Sequence, residues 1–585
     1  MNRKEEALRE LLQLIEQNKI KTQYNLNKLK IKISKKYNLR KILTNIEIFL
    51  SVSENAIKKY RCLFITKPTR TISGVAVIAI MSKPELCPHA KKGKGPCIVC
   101  PGGPASIFGD VPQSYTGKEP ATMRALRNKF DPYLQVMNRL EHYIVMGHSP
   151  EKVELIVMGG TFPSFKKSYQ ENFIRNCFKA MNDFSDLFYR KGKFDFVNAQ
   201  KSKISGTQKS FDFLRFKKFF ELPGKVDDPL RAKHIHAKLK KLKQKAKKNL
   251  ESEQKRNEKS SIRCVGLTLE TRPDYAKLKQ GNEMLRLGCT RVELGVQSVY
   301  DSALKKIQRG HSVKDTIESI SVLKDLGFKI NAHYMLGLPG ISKKKDLEGL
   351  KELFSNSDFK PDMLKLYPTM VVEGTKLYGL WKKKRYNPLA TKQAAEIISE
   401  AKKFIPKYVR IMRVQRDIPT YMTAAGVDRT NLRQYVAELT RKKKIKCKCI
   451  RCREIGRAEK IGKPEIDMIH YPASGGTEFF IFAEDKYNSL FGFCRLRFPN
   501  KALRKEITED SALVRELHVY GPAAAIGKKG KVQHKGIGKK LLKKAEDIAK
   551  TYNKEKIIII SGIGVKNYYK KFGYKEEGPY MVKKV

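Results

Sequence analysis

The sequence is short of acid. Its 585 residues hold 59 Asp and Glu against 120 Lys and Arg, a formal charge of +61. So large an excess is self-repulsive in isolation and implies a polyanionic partner, nucleic acid before any other, with a solvated lysine-rich surface as the plain alternative. Long apolar runs are also missing. No stretch reaches the roughly 20 residues that a membrane span requires. Met1 to Gln17 is charged and amphipathic, without the apolar centre of a signal peptide, so a cytoplasmic protein with no membrane partner is expected. In that reducing compartment the 11 cysteines are no disulfide framework, and six of them crowd into two short clusters, which points to metal. Residues are hydrophobic at 41% and aromatic at 9%, enough to exclude wholesale disorder. The length calls for two or three cores.

Residues 1–70 read as a small helical module whose basic run, Lys28 to Lys41, is interleaved with Leu26, Leu29 and Ile31. From residue 71 to about 390, apolar runs at 72–80, 153–158, 264–269, 291–296 and 329–335 alternate with helical stretches such as 312–326. That alternation predicts βαβ units and a full or partial (β/α) barrel. A lysine-rich insertion at about 185–260 interrupts it and reads as a basic helix or disordered arm. Residues 391–460 are expected to be a helical linker ending in a cysteine loop. Residues 461–585 form an α+β unit with strands near 478–483, 489–497, 513–519 and 556–561 and a helix at 536–552.

Cys87, Cys97 and Cys100 lie on a Gly- and Pro-rich loop just after the first predicted strand. Three thiolates can hold three irons of a [4Fe–4S] cluster and leave the fourth open to chelate S-adenosylmethionine. Zinc, with His89 as a fourth ligand, is the competing reading. Gly159 and Gly160 end a strand where bare backbone can approach a methionine moiety, while Glu293 and Gln297 aim polar groups from another strand end at the same rim. In the C-terminal unit, Gln533, Gly536, Ile537, Gly538 and Lys539 spell the Q-x-x-G-x-G device of GNAT acetyltransferases, a helix start that cradles a pyrophosphate. Tyr568 and Tyr569, after the next strand, are candidates to protonate a leaving thiolate. Cys447, Cys449 and Cys452 form a tight group that favours structural zinc, with His470 or Cys494 as a fourth ligand.

The segments CPH-x7-CIVCPGGP, QSYTGKEPATMRA, VMGGTFPS, LETRPDY, RVELGVQS, DMLKLYPT, RVQRDIP, RELHVYG and ISGIGVKNYYKKFGY together resemble the catalytic subunit of Elongator, in its archaeal, stand-alone form. The resemblance implies a radical S-adenosylmethionine (SAM) barrel of the partial TIM type fused to a GNAT domain. The implied reaction makes 5-carboxymethyluridine at the anticodon wobble position of tRNA from acetyl-CoA and SAM. Cys87, Cys97 and Cys100 would hold the cluster, and an external one-electron donor would be required. Lys152 and the strand Glu516, Leu517, His518 and Val519 would contact acetyl-CoA, Gly536 to Lys539 its phosphates, and Tyr569 the acyl end. Two features depart from the family: Val99 stands where relatives often place an aromatic against adenine, and not every relative has the 447–452 cysteines. The rival readings are a lysine acetyltransferase with a structural cluster and a non-catalytic RNA-binding scaffold. Oligomeric state is not legible in the sequence.

Overall fold

The computed structural model describes the chain apart from residues 1–2, 18–19, 21, 53–59, 192–208, 225–227, 246–247 and 522–535, and apart from the side chains of Lys191 and Lys209. Among the described residues no helix is long and apolar enough to cross a membrane.

The N-terminal module is helical, as expected. Helices Arg3–Glu16, Gln23–Lys36 and Asn45–Ser51 turn Ala7, Leu11, Ile15, Leu26 and Ile33 inward at helical spacing. Thr44 and Glu47 close a reciprocal capping box at the third helix. Its basic run stays mostly at the surface, with Lys36 tied to Glu10 at 2.7 Å.

Strands β1 (Ala76–Met81), β2 (Lys152–Met158), β5 (Arg263–Thr271), β6 (Arg291–Gln297), β7 (Lys329–Leu336), β8 (Met363–Pro368) and β9 (Arg410–Arg413) form one parallel sheet in the order β1-β2-β5-β6-β7-β8-β9. Seven strands in sequential order, with no pairing between β9 and β1, make an open barrel. In β2 the alternation is explicit: Val153, Leu155 and Val157 are buried against the helical layer, while Glu154, Ile156 and Met158 turn to the cavity. Strand β9 carries the barrel past residue 390, into the segment expected as a linker. Its four residues, bounded by Arg at both ends, are too short and polar to register as a strand by pattern.

The insertion is more ordered than its composition suggests. A hairpin of β3 (Tyr189–Lys191) and β4 (Lys209–Phe211) leads into helices Phe213–Phe219, Pro229–Gln244 and Leu250–Asn257. Phe184, Phe188, Phe211, Phe216 and Phe220 interlock at ring distances of 4.8–6.4 Å and hold it to the barrel's helical layer. The expectation of a disordered arm is not met for these segments; residues 192–208 lie outside the described chain.

The C-terminal sheet runs β10 (Glu465–Ala473), β11 (Gly476–Glu484), β12 (Leu490–Phe498), β13 (Ser511–Val519), β14 (Lys556–Ile559), β16 (Tyr580–Lys584), β15 (Lys575–Glu577). Only β13 and β14 pair in parallel, and their pairing stops at Val514–Ile559. Beyond it β13 continues to Val519 with one edge unpaired by β14, so the sheet splays open there.

Candidate functional site

The barrel interior holds a cavity of about 430 Å³ lined from the cysteine loop at one end to Arg291, the first residue of β6, at the other. Cys87, Cys97 and Cys100 share its wall with Gly160, Glu293 and Gln297, so the sequence-predicted residues of three separate segments converge. The cysteine loop is pinned through Ile98, whose N–H donates to the Ile307 carbonyl at 3.0 Å and whose carbonyl accepts from Leu377 at 3.0 Å. Each thiol also faces an N–H donor. The Ala90 amide reaches Cys87 Sγ at 3.4 Å, Arg309 reaches Cys97 at 3.7 Å and Gln113 reaches Cys100 at 3.2 Å. Donors suit sulfur that carries negative charge. Burial and the neighbouring Cys97 push the Cys100 thiol up to about 11, against the lowering pull of Gln113 and Arg416.

His89 is not free for zinc. Its Nε2 lies 2.9 Å from the Gln308 carbonyl, and its ring packs where a Cβ on Gly310 would clash at 2.3 Å. Nor do the three thiols converge on one point: among the described residues, Cys447, Cys449 and Cys452 are the group of three whose ligand atoms lie within 4.8 Å of one another. The wider spacing of Cys87, Cys97 and Cys100 suits a multi-iron cluster better than a single ion.

Gly159 and Gly160 adopt φ of +124° and +97°, and a Cβ on Gly159 would meet Ser82 Oγ at 2.1 Å. The Gly159 amide donates to Glu270 at 3.2 Å, which also accepts from Tyr115 at 3.0 Å. Deeper in, Glu293 accepts from Asn331 at 3.0 Å and lies 2.5 Å from both His333 Nε2 and Lys365 Nζ. Burial raises its pKa, but Lys365, His333 and Arg291 outweigh that and hold the carboxyl well below the usual range. Arg291 pairs with Glu154, yet its Nε and one terminal nitrogen are buried without a hydrogen-bond partner. Val99 lines the cavity with Ile307 and Met335 and packs with Ile98, so this wall is aliphatic.

The C-terminal sheet docks at the opposite, N-terminal ends of the barrel strands. His518 Nε2 lies 3.3 Å from the Ser73 carbonyl, just before β1. Glu516 accepts from Arg495 at 2.9 Å; burial raises its pKa and Lys329, the first residue of β7, leads the cations that lower it. Lys152, the first residue of β2, sits at this same end, its pKa lowered by burial. Gly562 and Gly564 press on β5, where a Cβ would meet Val265 O at 2.2 Å and Arg263 Cβ at 2.5 Å. Gly536, at φ +82°, caps the N-terminus of helix Ile537–Thr551. A Cβ on Gly538 would lie 3.0 Å from the Tyr568 hydroxyl and 3.5 Å from Val519. That places Tyr568 at the glycine turn and beside the splayed strand. Tyr569 is buried behind it, 5.2 Å away ring to ring, with a hydroxyl pKa raised by burial. Leu517 and Val519 pack against the core from the same strand, and Lys539 is exposed at the helix start. Gln533 lies outside the described residues.

In the second cysteine group, Lys402 donates to Cys452 at 3.3 Å. Hydrogen bonds from Cys447 and Cys449 hold Cys452 far below the ordinary thiol range, while the same contacts push Cys449 up. Neither candidate fourth ligand joins them: Cys494 is buried in β12 opposite Ile481, and His470 projects from β10.

An open parallel barrel with three cysteines at its rim, joined to a splayed sheet with a glycine-started helix, defines a radical SAM protein carrying a GNAT acetyltransferase domain. Family comparisons agree: the Radical SAM superfamily matches residues 226–353, the Radical_SAM C-terminal domain 361–442, the Acetyltransferase (GNAT) domain 529–584 and the ELP3 N-terminal domain 4–72. The radical SAM match implies SAM and a [4Fe–4S] cluster, and the GNAT match implies acetyl-CoA. The chain belongs to the Elongator complex protein 3 family. It is 45% identical over 552 residues to a tRNA uridine(34) acetyltransferase of Methanocaldococcus jannaschii, covering 92% of this chain and 90% of that one. It is 38% identical to the Elongator complex protein 3 of Schizosaccharomyces pombe, covering 99% and 97%. Among solved structures, the Methanocaldococcus infernus Elp3 lacking residues 1–46 superposes with a TM-score of 0.68 at 39% identity, covering 88% of this chain and all of that one.

Sequence reasoning passed over Gln113, Arg309, Lys365 and His333. Gln113, Lys365 and His333 lie inside or beside the quoted motifs, but their roles rest on contacts across tens to hundreds of positions, which no local pattern encodes.

Proposed function

We propose that this chain modifies the wobble uridine of tRNA, using SAM radical chemistry and acetyl-CoA to install a carboxymethyl group at C5. The observation that carries the reading is the docking of Glu516–Val519 under the very strands whose other ends bear the three cysteines. Cys87, Cys97 and Cys100 would hold a [4Fe–4S] cluster, which would supply the one-electron chemistry that cleaves SAM once an external donor has reduced it. Gly159 and Gly160 bring bare backbone to the rim, and the Glu293–Lys365–His333 set fixes charge within the cavity. At the other site, helix Ile537–Thr551 offers its free amides to the coenzyme phosphates. Lys152 stands beside Arg263 as a further cation, and the Tyr568 hydroxyl is the proton donor best placed for a thiolate, with Tyr569 buttressing it. A lysine acetyltransferase with a structural barrel would leave this charged, buried cavity without a task.

In this reading the second group, Cys447, Cys449 and Cys452, would hold zinc. Lys402 offsets the thiolate charge. The substrate tRNA is gripped by the N-terminal module and the lysines of helix Pro229–Gln244, and the anticodon bases are splayed into the cavity. Reduced, reconstituted protein incubated anaerobically with transcript tRNA, SAM and acetyl-CoA should yield carboxymethyluridine by nucleoside mass spectrometry. Its absence with an intact cluster refutes the proposal.

A further inference from the structure

Four arginines gather at the open edge of the barrel, outside the cavity. Arg124 and Arg127 lie on helix Pro120–Arg127, Arg139 on helix Pro132–Val145 and Arg70 in the turn Pro68–Thr71. Both helices pack on β1, the edge strand of the sheet. Arg124 reaches only the Ala79 carbonyl, at 3.4 Å, and Arg70 the Met146 sulfur at 3.4 Å. Arg139 lies 4.4 Å from the centre of the Tyr143 ring, and its Nε is buried without a hydrogen-bond partner.

Among the described residues none of the four forms an ion pair. Burial, then Arg139, Arg127 and Arg70, push Arg124 down to about 10. His142, between them, is driven to about 3 by burial and by Arg139, Arg124, Arg127 and Arg231. Arginines that line the cavity do meet carboxylates, as Arg272 has Asp274 at 2.9 Å and Arg413 has Asp417. A fold that gathers like charges, Arg70, Arg124 and Arg139 half-buried and Arg127 exposed, without a counter-charge is arranged for one that arrives from outside. Guanidinium forks match the tetrahedral oxygens of a phosphate.

We propose that Arg70, Arg124, Arg127 and Arg139 form a phosphate-binding site on the open edge of the barrel. Two molecules in the proposed reaction carry phosphate, the tRNA backbone and coenzyme A. The surroundings favour the polynucleotide. The cationic field runs on from the cluster through Lys129 to Lys240 on helix Pro229–Gln244, which both act on His236, whereas the coenzyme helix begins on the other domain. This assignment of source rests on the tRNA reading; the site itself does not.

The test uses the full-length protein with Arg124→Gln and Arg139→Gln together, and Arg127→Gln alone as an exposed position with no packing role to lose. Melting is followed with and without inorganic phosphate, and affinities for transcript tRNA and for coenzyme A are measured separately. Removing repulsion should leave the ligand-free double variant as stable as wild type or more so, and phosphate should stabilise only wild type. Transcript affinity should fall about tenfold or more in the double variant, with a salt slope shallower by about one for each phosphate no longer held, and less in Arg127→Gln. Coenzyme affinity should not change. A double variant that melts lower while phosphate stabilises it as it does wild type overturns the site. Loss of coenzyme affinity with transcript affinity intact overturns the assignment to RNA. None of these readouts requires modification to occur, so failure here and failure of the proposed reaction are told apart.

Discussion

Inside the barrel one carboxylate, Glu293, answers two cations, Arg291 and Lys365, together with the His333 ring and the Asn331 amide. Replacing it by Gln would leave Lys365 charged and buried without a partner, at a cost of about 3–5 kcal/mol. Urea denaturation of Glu293→Gln reads this directly; an unchanged midpoint would show that the network carries no such charge. Asp346 presents the opposite case. It is 1% exposed and its one hydrogen bond is the Gly337 amide at 2.8 Å, so burial pushes it from 3.8 up to about 7. An acid whose folded pKa lies above its unfolded one favours the fold while protonated. Between pH 3.8 and 7 the unfolded chain releases that proton and the folded chain keeps it, so this contribution to stability falls as pH rises. Asp346→Asn should flatten that loss and stabilise the protein at pH 7, as melting curves across the window would show. At this scale the sequence disclosed the residues that chemistry makes conspicuous: three cysteines, paired glycines, an acid at a strand end. It did not disclose what each side chain touches. Gln113 and Cys100 are 13 positions apart, and Arg309 and Cys97 are 212 apart.

Strands that bury one face and line a cavity with the other announce themselves by alternation, which is why β1, β2, β6 and β7 fall within a few residues of their predicted ranges. Strand β10 does not, because it is an edge strand with exposed Glu465, Asp467 and His470, and its pairing with β11 decides its conformation. The insertion misled by composition: its lysines face out, and the phenylalanines that fold it come from both sides of a long gap in sequence. At the coenzyme turn, Gly538→Val would drive a side chain toward the Tyr568 hydroxyl at 3.0 Å and Val519 at 3.5 Å. Acetyl-CoA affinity should drop about tenfold or more while SAM cleavage is retained, with calorimetry and deoxyadenosine yield as the two readouts. A variant that bound the coenzyme normally would remove this turn from the site. For the 447–452 loop, metal analysis should find zinc in wild type and none in Cys449→Ser, with the iron content equal in both; equal zinc would place it elsewhere.

Over the whole molecule, the two heads are joined through buried charge. Arg515 on β13 meets Asp362 before β8 at 2.5 Å and Glu478 on β11 at 2.9 Å, and Arg497 meets Asp325 at 2.6 Å. Arg495 donates to the Tyr408 carbonyl at 2.8 Å, and Arg515 to that of Phe328 at 2.6 Å. Such pairs contribute little against an apolar replacement, but breaking one leaves an uncompensated charge. Asp362→Ala should cost about 3–5 kcal/mol, seen as loosened docking of the two domains in limited proteolysis. None of this was legible in advance, since a buried arginine and a solvated one read alike in a sequence so rich in cations. The motifs identified both heads; only the fold showed that strand Ser511–Val519 lies beneath the barrel. The central claim is that the two sites act on one acetyl group. It is tested by giving the reduced protein, with tRNA and SAM, acetyl-CoA trideuterated on the methyl carbon. Deuterium should appear in 5′-deoxyadenosine, with the remaining label in the modified uridine. Modified tRNA formed alongside unlabelled deoxyadenosine would contradict the account.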